Sequence, residues 1–465
     1  MAFVIVLAAL CFLMLVAYRG YSVILFAPVA AMGAVLLTDP GLVAPVFTGL
    51  FMEKMVGFLK LYFPVFLLGA IFGKVIELSG FSRSIVAATI RLVGRERAML
   101  SIVLVCALLT YGGVSLFVVV FAVYPFAAEL FRQSDIPKRL IPATIALGAF
   151  TFTMDALPGT PQIQNIIPTT FFGTDAWAAP MLGAIGAIFI LIAGLSYLEW
   201  QRRKALAADE GYGSQLVNEP VAFVEDRLAH PLLAILPLVL VGVSNKLFTT
   251  LIPRMYGASH EFAPAVIGSA KPVVQEVSKV AAIWAVEGAL LIGILSVMLF
   301  AWKSLRGRFA LGSQSAVGGA LLASMNTASE YGFGAVIASL PGFLVVANAL
   351  RAIPNPLVNE AVTVTALAGI TGSASGGMSI ALAAMADTFV QNASAAGISM
   401  EVLHRVAAMA SGGMDTLPHN GAVITLLAVT GLTHRQSYKD IFAITLIKTA
   451  AVFVVIAVFY TTGLV

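Results

Sequence analysis

The residues best suited to chemistry are two aspartates, each at the start of a run of helix-breaking residues. Asp155 begins Asp155-Ala-Leu-Pro-Gly-Thr-Pro161, and Asp415 begins Asp415-Thr-Leu-Pro-His-Asn-Gly421. Proline removes a backbone donor and stops helical continuation, so each run predicts a helix that is broken near its middle. The amide end of such a break attracts an anion, and its carbonyl end suits a cation. Each carboxylate is therefore a candidate proton carrier or cation ligand, with helix capping as the alternative.

The two runs belong to an internal duplication. Residues 154–158 read Met-Asp-Ala-Leu-Pro and residues 414–418 read Met-Asp-Thr-Leu-Pro, an offset of 414 − 154 = 260. The same offset carries Gly112 onto Gly372. In membrane proteins, polar and Gly/Pro interruptions at matching positions of two halves indicate the binding site of a transporter.

Composition places these elements in a membrane. The chain is 60% hydrophobic and 11% charged, with a mean hydropathy of +0.97, whereas soluble domains carry about 25% charge. Apolar stretches of roughly 17–25 residues recur along the chain, long enough to cross a bilayer. Residues 1–17 are expected to be a retained first helix, because no basic region precedes them. The basic residues sit at helix ends, so the net charge of +4 does not indicate nucleic-acid binding.

The middle of each half predicts a re-entrant hairpin. Residues 98–131 form an apolar run between basic clusters, and one helix of roughly 34 residues would be about 51 Å long, too long for the bilayer. Two full crossings would need more residues, and Gly112-Gly113 offers a turn in the middle. Residues 359–391 form the equivalent segment, with a turn at 371–377.

The predicted fold class is an all-α polytopic membrane protein with two inverted repeats. It has about ten transmembrane helices, two re-entrant hairpins and two broken helices. The distribution of lysine and arginine places both termini outside. The predicted segments are a first repeat over 1–198 (hairpin 98–131, broken helix 140–173), a cytoplasmic linker over 199–230 and a second repeat over 231–465 (hairpin 359–391, broken helix 400–430). Residues 251–280 are predicted to form an external loop.

Polar groups near the turns and breaks complete the candidate site. His419 has a side chain that titrates near physiological pH, and Glu330 lies on a predicted span. Glycines at the turns would let the backbone approach a ligand, with close helix packing as the alternative. The candidate substrate-binding residues are Gly112, Gly113, Ser115, Thr160, Gln162, Gly372, Ser373, Ser375, Gly376, His419 and Asn420. The candidate ion-coupling residues are Asp155, Asp415, His419 and Glu330.

Other charged residues are assigned structural roles. Lys74 and Glu77 are three residues apart and are expected to pair on one helix face. Arg405 is placed in a connection between spans. Solvated roles are expected for His230, His260, His404 and His434.

The chain resembles the gluconate permease (GntP-type) family, within the ion transporter superfamily that includes citrate and dicarboxylate–sodium symporters. Three segments carry the resemblance over nearly the whole chain: Ile136-Pro-Lys-Arg-Leu140, Gly372-Ser-Ala-Ser-Gly376 and Pro158-Gly-Thr-Pro161. The resemblance implies an organic-anion importer of the bacterial inner membrane that an ion gradient drives. It also implies a homodimer with a scaffold and a mobile domain that moves like an elevator.

The chain departs from that family at the site. Gluconate permeases carry a histidine-bearing, proline-dense stretch at the first break, and residues 152–161 here contain no histidine. The aromatic-Glu-Val of the family's first hairpin is replaced by Gly112-Gly113-Val114. A polyhydroxylated acid such as gluconate needs many hydrogen-bonding partners in its site. A shorter acid such as 3-hydroxybutyrate is therefore expected as the substrate at least as much as gluconate.

The expected activity is proton symport of a small organic acid anion. A sodium-coupled carboxylate symporter, similar to citrate and dicarboxylate carriers, is the alternative, and an anion channel is the alternative from another class. An enzyme is not expected, because the sequence has no metal-ligand cluster, cysteine nucleophile context or Gly-x-x-x-x-Gly-Lys loop. No cofactor is expected. The expected partners are the substrate anion, the bilayer and a second copy of the chain.

Overall fold

The computed structural model describes residues 2–19, 21–94, 97–114, 116–213, 217–220, 228–262, 273–343, 345, 353–418 and 420–465. Almost all ordered elements in these ranges are helices, which confirms the predicted all-α polytopic membrane protein. Five of the described helices are long and apolar enough to cross a membrane. They are Pro40–Leu78, Pro180–Ala207, Pro231–Tyr256, Ala281–Leu305 and His434–Thr462.

In the described part of the first half, ten helices and the short 3-10 turn Lys138–Leu140 follow one another. The helices are α1 Ala2–Tyr18, α2 Val23–Thr38, α3 Pro40–Leu78, α4 Phe81–Val93, α5 Ala98–Tyr111, α6 Leu116–Gln133, α7 Ile141–Ala149, α8 Phe152–Asp155, α9 Ile163–Phe172 and α10 Pro180–Ala207. We call α5 and α6 hairpin 1, and we call residues 150–162, which interrupt the broken helix, break 1.

The described part of the second half repeats this order. Its helices are α11 Pro231–Tyr256, α12 Ala281–Leu305, α13 Phe309–Ser339, α14 Pro356–Thr371, α15 Ala374–Ala395, α16 Met400–Ser411, α17 Gly421–Thr430 and α18 His434–Thr462. We call α14 and α15 hairpin 2, and residues 412–420 break 2. Each half therefore runs from spanning helices through a hairpin and a broken helix to one long final helix.

Equivalent helices of the two halves pack against each other. The long helices α3 and α13 form the largest interface, and the two final helices α10 and α18 form another. Small residues allow the close approach: Gly332 of α13 lies against Phe51 of α3, and Gly334 lies against Ile380 of hairpin 2. Near the end of α3, Lys74 Nζ contacts Glu77 Oε2 at 2.9 Å, so the predicted pair is confirmed.

The predicted external loop over 251–280 is partly ordered structure. Helix α11 continues to Tyr256 through Pro253, and two short antiparallel strands follow, β1 Ser259–Phe262 and β2 Val273–Glu276. Pro253 does not end the helix, because a proline near a helix end costs only one hydrogen bond of the last turns.

The connection between the halves is bound to the helices beside it. Helix α10 extends to Ala207, beyond the predicted start of the linker at 199. Further on, Glu219 pairs with Arg132 and, at 2.7 Å, with Lys138. Partial burial raises the pKa of Glu219, but its bonds to the two cations outweigh that effect and hold the pKa below its usual value. Asn218 donates to the Ala428 carbonyl at 2.9 Å, so the linker joins hairpin 1 to α17.

Candidate functional site

The turn of hairpin 1 is tied to break 1 by side chains. Gly113 has φ +94°, a left-handed conformation that favours glycine. Gln162 Nε2 donates to the Thr110 carbonyl at 2.7 Å, and the Tyr111 hydroxyl donates to the Pro158 carbonyl at 2.9 Å. Ser115 lies outside the described residues.

The turn of hairpin 2 is tied to break 2 in the same way. Asn420 Nδ2 donates to the Gly372 carbonyl at 2.7 Å, and Asn420 Oδ1 accepts from two amides in the first turn of α17. Ser373 Oγ accepts from the Gly376 amide at 3.1 Å and so caps α15. Ser375 Oγ lies 3.2 Å from Thr327 Oγ1 on α13. His419 falls outside the described part of the chain.

The two breaks differ in how their amide ends are satisfied. Asn420 caps α17, whereas α9 begins after Gln162 with no side-chain cap among the described residues. Two fully buried hydroxyls near this end, Thr110 Oγ1 and Thr160 Oγ1, also have no hydrogen-bond partner within the described ranges. The amide end of α9 therefore offers donors that a bound anion can use.

The two aspartates lie in one buried charged cluster. Asp415 Oδ1 pairs with Lys448 Nζ of α18, which also donates to the Phe150 carbonyl at 3.1 Å. A methyl group on Gly412 would collide with Asp155 Oδ2 and lie 3.6 Å from Lys448 Nζ, so Asp155 is close to the same cation. Asp155 Oδ2 has no hydrogen-bond partner in the described chain. Lys448 thus connects the first break to the second.

A second buried cation, on the helix that precedes break 2, binds residues in and around break 1. Arg405 of α16 is 0% exposed, and its guanidinium donates to the Asp155 and Ala178 carbonyls at 3.0 and 2.7 Å. It also donates to Asn165 Oδ1 at 3.0 Å, and His404 Nε2 lies 3.2 Å from the same oxygen. No carboxylate oxygen of a described residue forms an ion pair with Arg405. Its charge therefore acts on break 1 through space and through these hydrogen bonds.

Two further buried carboxyls lie outside this cluster. Glu330 of α13 presses against Gly376 in hairpin 2, and its Oε2 lacks a hydrogen-bond partner among the described residues. Glu360 of α14 is 0% exposed, and neither of its carboxyl oxygens has such a partner there.

The candidate glycines are tightly packed. A side chain on Gly112 would collide with Leu238 of α11, and one on Gly113 would lie 3.2 Å from Pro161 and 3.3 Å from Leu290. Both residues therefore pack closely against their neighbours, and their predicted contact with a ligand stays a prediction.

Sequence reasoning missed four buried ionisable residues. His404 is 0% exposed, so its predicted solvated role is wrong, and Arg405 is buried rather than in a connection. Lys448 and Glu360 were not singled out. Lys448 carried a usable signal, because it lies in the middle of an apolar helix of 29 residues.

Known transporters are similar to the chain in sequence and in fold. The chain is 60% identical to the "Uncharacterized transporter YxjC" of Bacillus subtilis (strain 168) over 474 residues, and the match covers 100% of both chains. No protein-family model matches. The crystal structure of the YdaH transporter of Alcanivorax borkumensis, described as having an unusual topology, has a TM-score of 0.51 and 15% identity, covering 92% of this chain and 90% of that one. At this identity, the second likeness concerns the fold alone.

Proposed function

Because the chain belongs to the transporter family of YxjC, we propose that it imports a small organic acid anion by proton symport. The observation that carries the proposal is the amide end of α9, which has no side-chain cap among the described residues. Thr160 beside it is fully buried, and no described residue hydrogen-bonds to its hydroxyl. Both features supply donors for a carboxylate, and Arg405 lends a positive field.

The same residues favour a short acid over a heavily hydroxylated one. The polar side chains at break 1 are largely engaged: Gln162 bonds to hairpin 1, and Asn165 donates to the Thr160 and Ala176 carbonyls at 3.0 and 2.8 Å. Few groups remain for the hydroxyls of a substrate such as gluconate. A monocarboxylate with one hydroxyl, such as 3-hydroxybutyrate, matches the remaining donors.

We place the movement in the hairpins and broken helices, which would slide along α3 and α13. Few side-chain hydrogen bonds between described residues join these parts. Examples are Tyr62 of α3, which donates to the Ile167 carbonyl at 3.1 Å, Trp177, which donates to Asn245 of α11 at 2.8 Å, and Ser375, which lies 3.2 Å from Thr327 of α13. Gly334 of α13 packs closely against Ile380 of hairpin 2, so no side chain at that position obstructs the movement.

Counterflow in proteoliposomes tests the proposal. Gluconate, 3-hydroxybutyrate, lactate and citrate are each assayed without a gradient, then with a pH gradient, then with a sodium gradient. We expect 3-hydroxybutyrate uptake that follows the pH gradient. Uptake that needs sodium would support the alternative carboxylate symporter, and the absence of saturable counterflow for all four acids would contradict the proposal.

Thr160→Val tests the substrate contact. Valine keeps the shape of threonine and removes a hydroxyl that no described residue uses, so we expect unchanged thermal stability and a KM raised about tenfold, as for one lost hydrogen bond to a charged group. Thr153→Val is the matched control. Its hydroxyl donates to the Gly148 carbonyl at 2.7 Å, so stability should fall by about 1 kcal/mol. An unchanged KM in Thr160→Val would show that this hydroxyl does not contact the substrate.

A further inference from the structure

Lys448 is a charged residue in the middle of the final membrane helix. It is 2% exposed, and its ammonium group contacts the Asp415 carboxylate and the Phe150 carbonyl. Phe150 directly follows α7 as its C-cap, so this carbonyl belongs to the negative end of a helix. An isolated ammonium at this depth would be costly, so these oxygen contacts are what retain it.

These contacts are the ones that a hard metal cation would use. Such cations bind carboxylate and carbonyl oxygens, and the carbonyl end of a broken helix adds a favourable dipole. Two other carbonyls of this region accept from neutral donors: Thr449 donates to the Gly413 carbonyl at 2.7 Å, and Thr153 donates to that of Gly148. Lys448 is therefore the cation at a site built from oxygens of both breaks.

The charges that face Lys448 are balanced. Asp415 and Asp155 approach it from breaks 2 and 1, and Arg405 donates to the backbone carbonyl of Asp155. With both carboxylates and both basic groups ionised, the net charge of these four side chains is zero. One proton on a carboxylate would give the cluster a charge of +1, which complements one monocarboxylate anion.

We propose that Lys448 permanently occupies the coupling-cation site, so that sodium is not required and Asp155 binds the proton that accompanies each anion. Oδ2 of Asp155, to which no described residue hydrogen-bonds, is the atom that accepts the proton. The proton enters with the anion and is released with it, and no covalent bond other than that O–H bond forms or breaks. This inference rests on the proposed proton symport, and it names the residue that takes the place of sodium.

The test compares the wild type with Lys448→Ala in purified full-length protein. Thermal unfolding is measured in choline, sodium and methylammonium chloride at equal ionic strength, a readout that does not depend on transport. We expect Lys448→Ala to melt lower than the wild type in choline. Methylammonium or sodium should raise its midpoint by about 2–4 °C or more, and the wild type should not respond. Lys439→Ala, on the exposed face of the same helix, is the control and should behave as the wild type does.

Two results would overturn the proposal. One is a Lys448→Ala protein that no cation stabilises, and the other is a wild type that sodium stabilises to the same extent. If Lys448→Ala yields no folded protein, Asp415→Asn/Lys448→Met removes both charges and should fold with no response to any salt. A sodium response in that double variant would locate a cation site elsewhere. If the wild type shows no counterflow, the proposed transport function is contradicted. The unfolding results still test whether Lys448 fills a cation site, because they do not depend on transport.

Discussion

Arg405→Ala is expected to abolish counterflow and to lower the free energy of unfolding by about 3–5 kcal/mol, as for truncating a large buried side chain and leaving its acceptors unpaired. The guanidinium is fully buried and donates to the Asp155 and Ala178 carbonyls and to Asn165 Oδ1. Alanine leaves these acceptors without their donor and opens a cavity between the breaks.

Arg405→Lys separates the charge from the geometry. Lysine keeps the positive charge but cannot reproduce the planar fork, so we expect partial recovery of stability and little recovery of transport. Thermal unfolding and counterflow are measured on the same preparations, with Arg435→Ala, an exposed arginine at the start of α18, as the control. Normal counterflow by Arg405→Ala would show that the cation does not organise the site.

Asp155→Asn is expected to reduce uptake driven by a pH gradient to the level of empty liposomes, while counterflow continues. Asparagine has nearly the same shape and cannot carry a proton, and Asp155 Oδ2 has no described hydrogen-bond partner that the change would remove. The fold should therefore persist while coupling is lost.

The measurement for this variant is uphill uptake at several external pH values beside gradient-free exchange. Exchange by the wild type should vary with pH, and exchange by Asp155→Asn should not. Asp387→Asn, an exposed aspartate on hairpin 2, is the control and should retain uphill uptake. Undiminished uphill uptake by both Asp155→Asn and Asp415→Asn would discard these aspartates as proton carriers.

The local interruptions of the helices were predictable from the sequence. Gly112-Gly113 predicted the turn between α5 and α6, and the prolines after Asp155 and Asp415 predicted the gaps before α9 and α17. These features depend on the backbone limits of glycine and proline, which act within a few residues. The capping roles of Ser373 and Asn420 also depend on neighbours only two or three residues away.

The charged cluster could not be predicted from residues that are close together in the sequence. Arg405 is buried because the carbonyls of Asp155 and Ala178 surround it, and both are more than 200 residues away in sequence. Counting basic residues near span ends treats such an arginine as a loop residue, because it does not consider tertiary contacts. His404 was assigned a solvated role for the same reason, although Asn165 and Thr174 bind its ring.

The two cations that face break 1 are both encoded in the second half, and this sets an order of events during synthesis. Arg405 follows Asp155 by 405 − 155 = 250 residues, and Lys448 follows it by 448 − 155 = 293. At about 5–20 residues per second, the ribosome delivers them roughly 12–60 s after Asp155. During that interval break 1 lies in or near the bilayer without its counter-charges, so its final geometry forms only after α18 has been inserted. Loss of the last helix would consequently leave a chain whose first half never matures, rather than a shortened transporter.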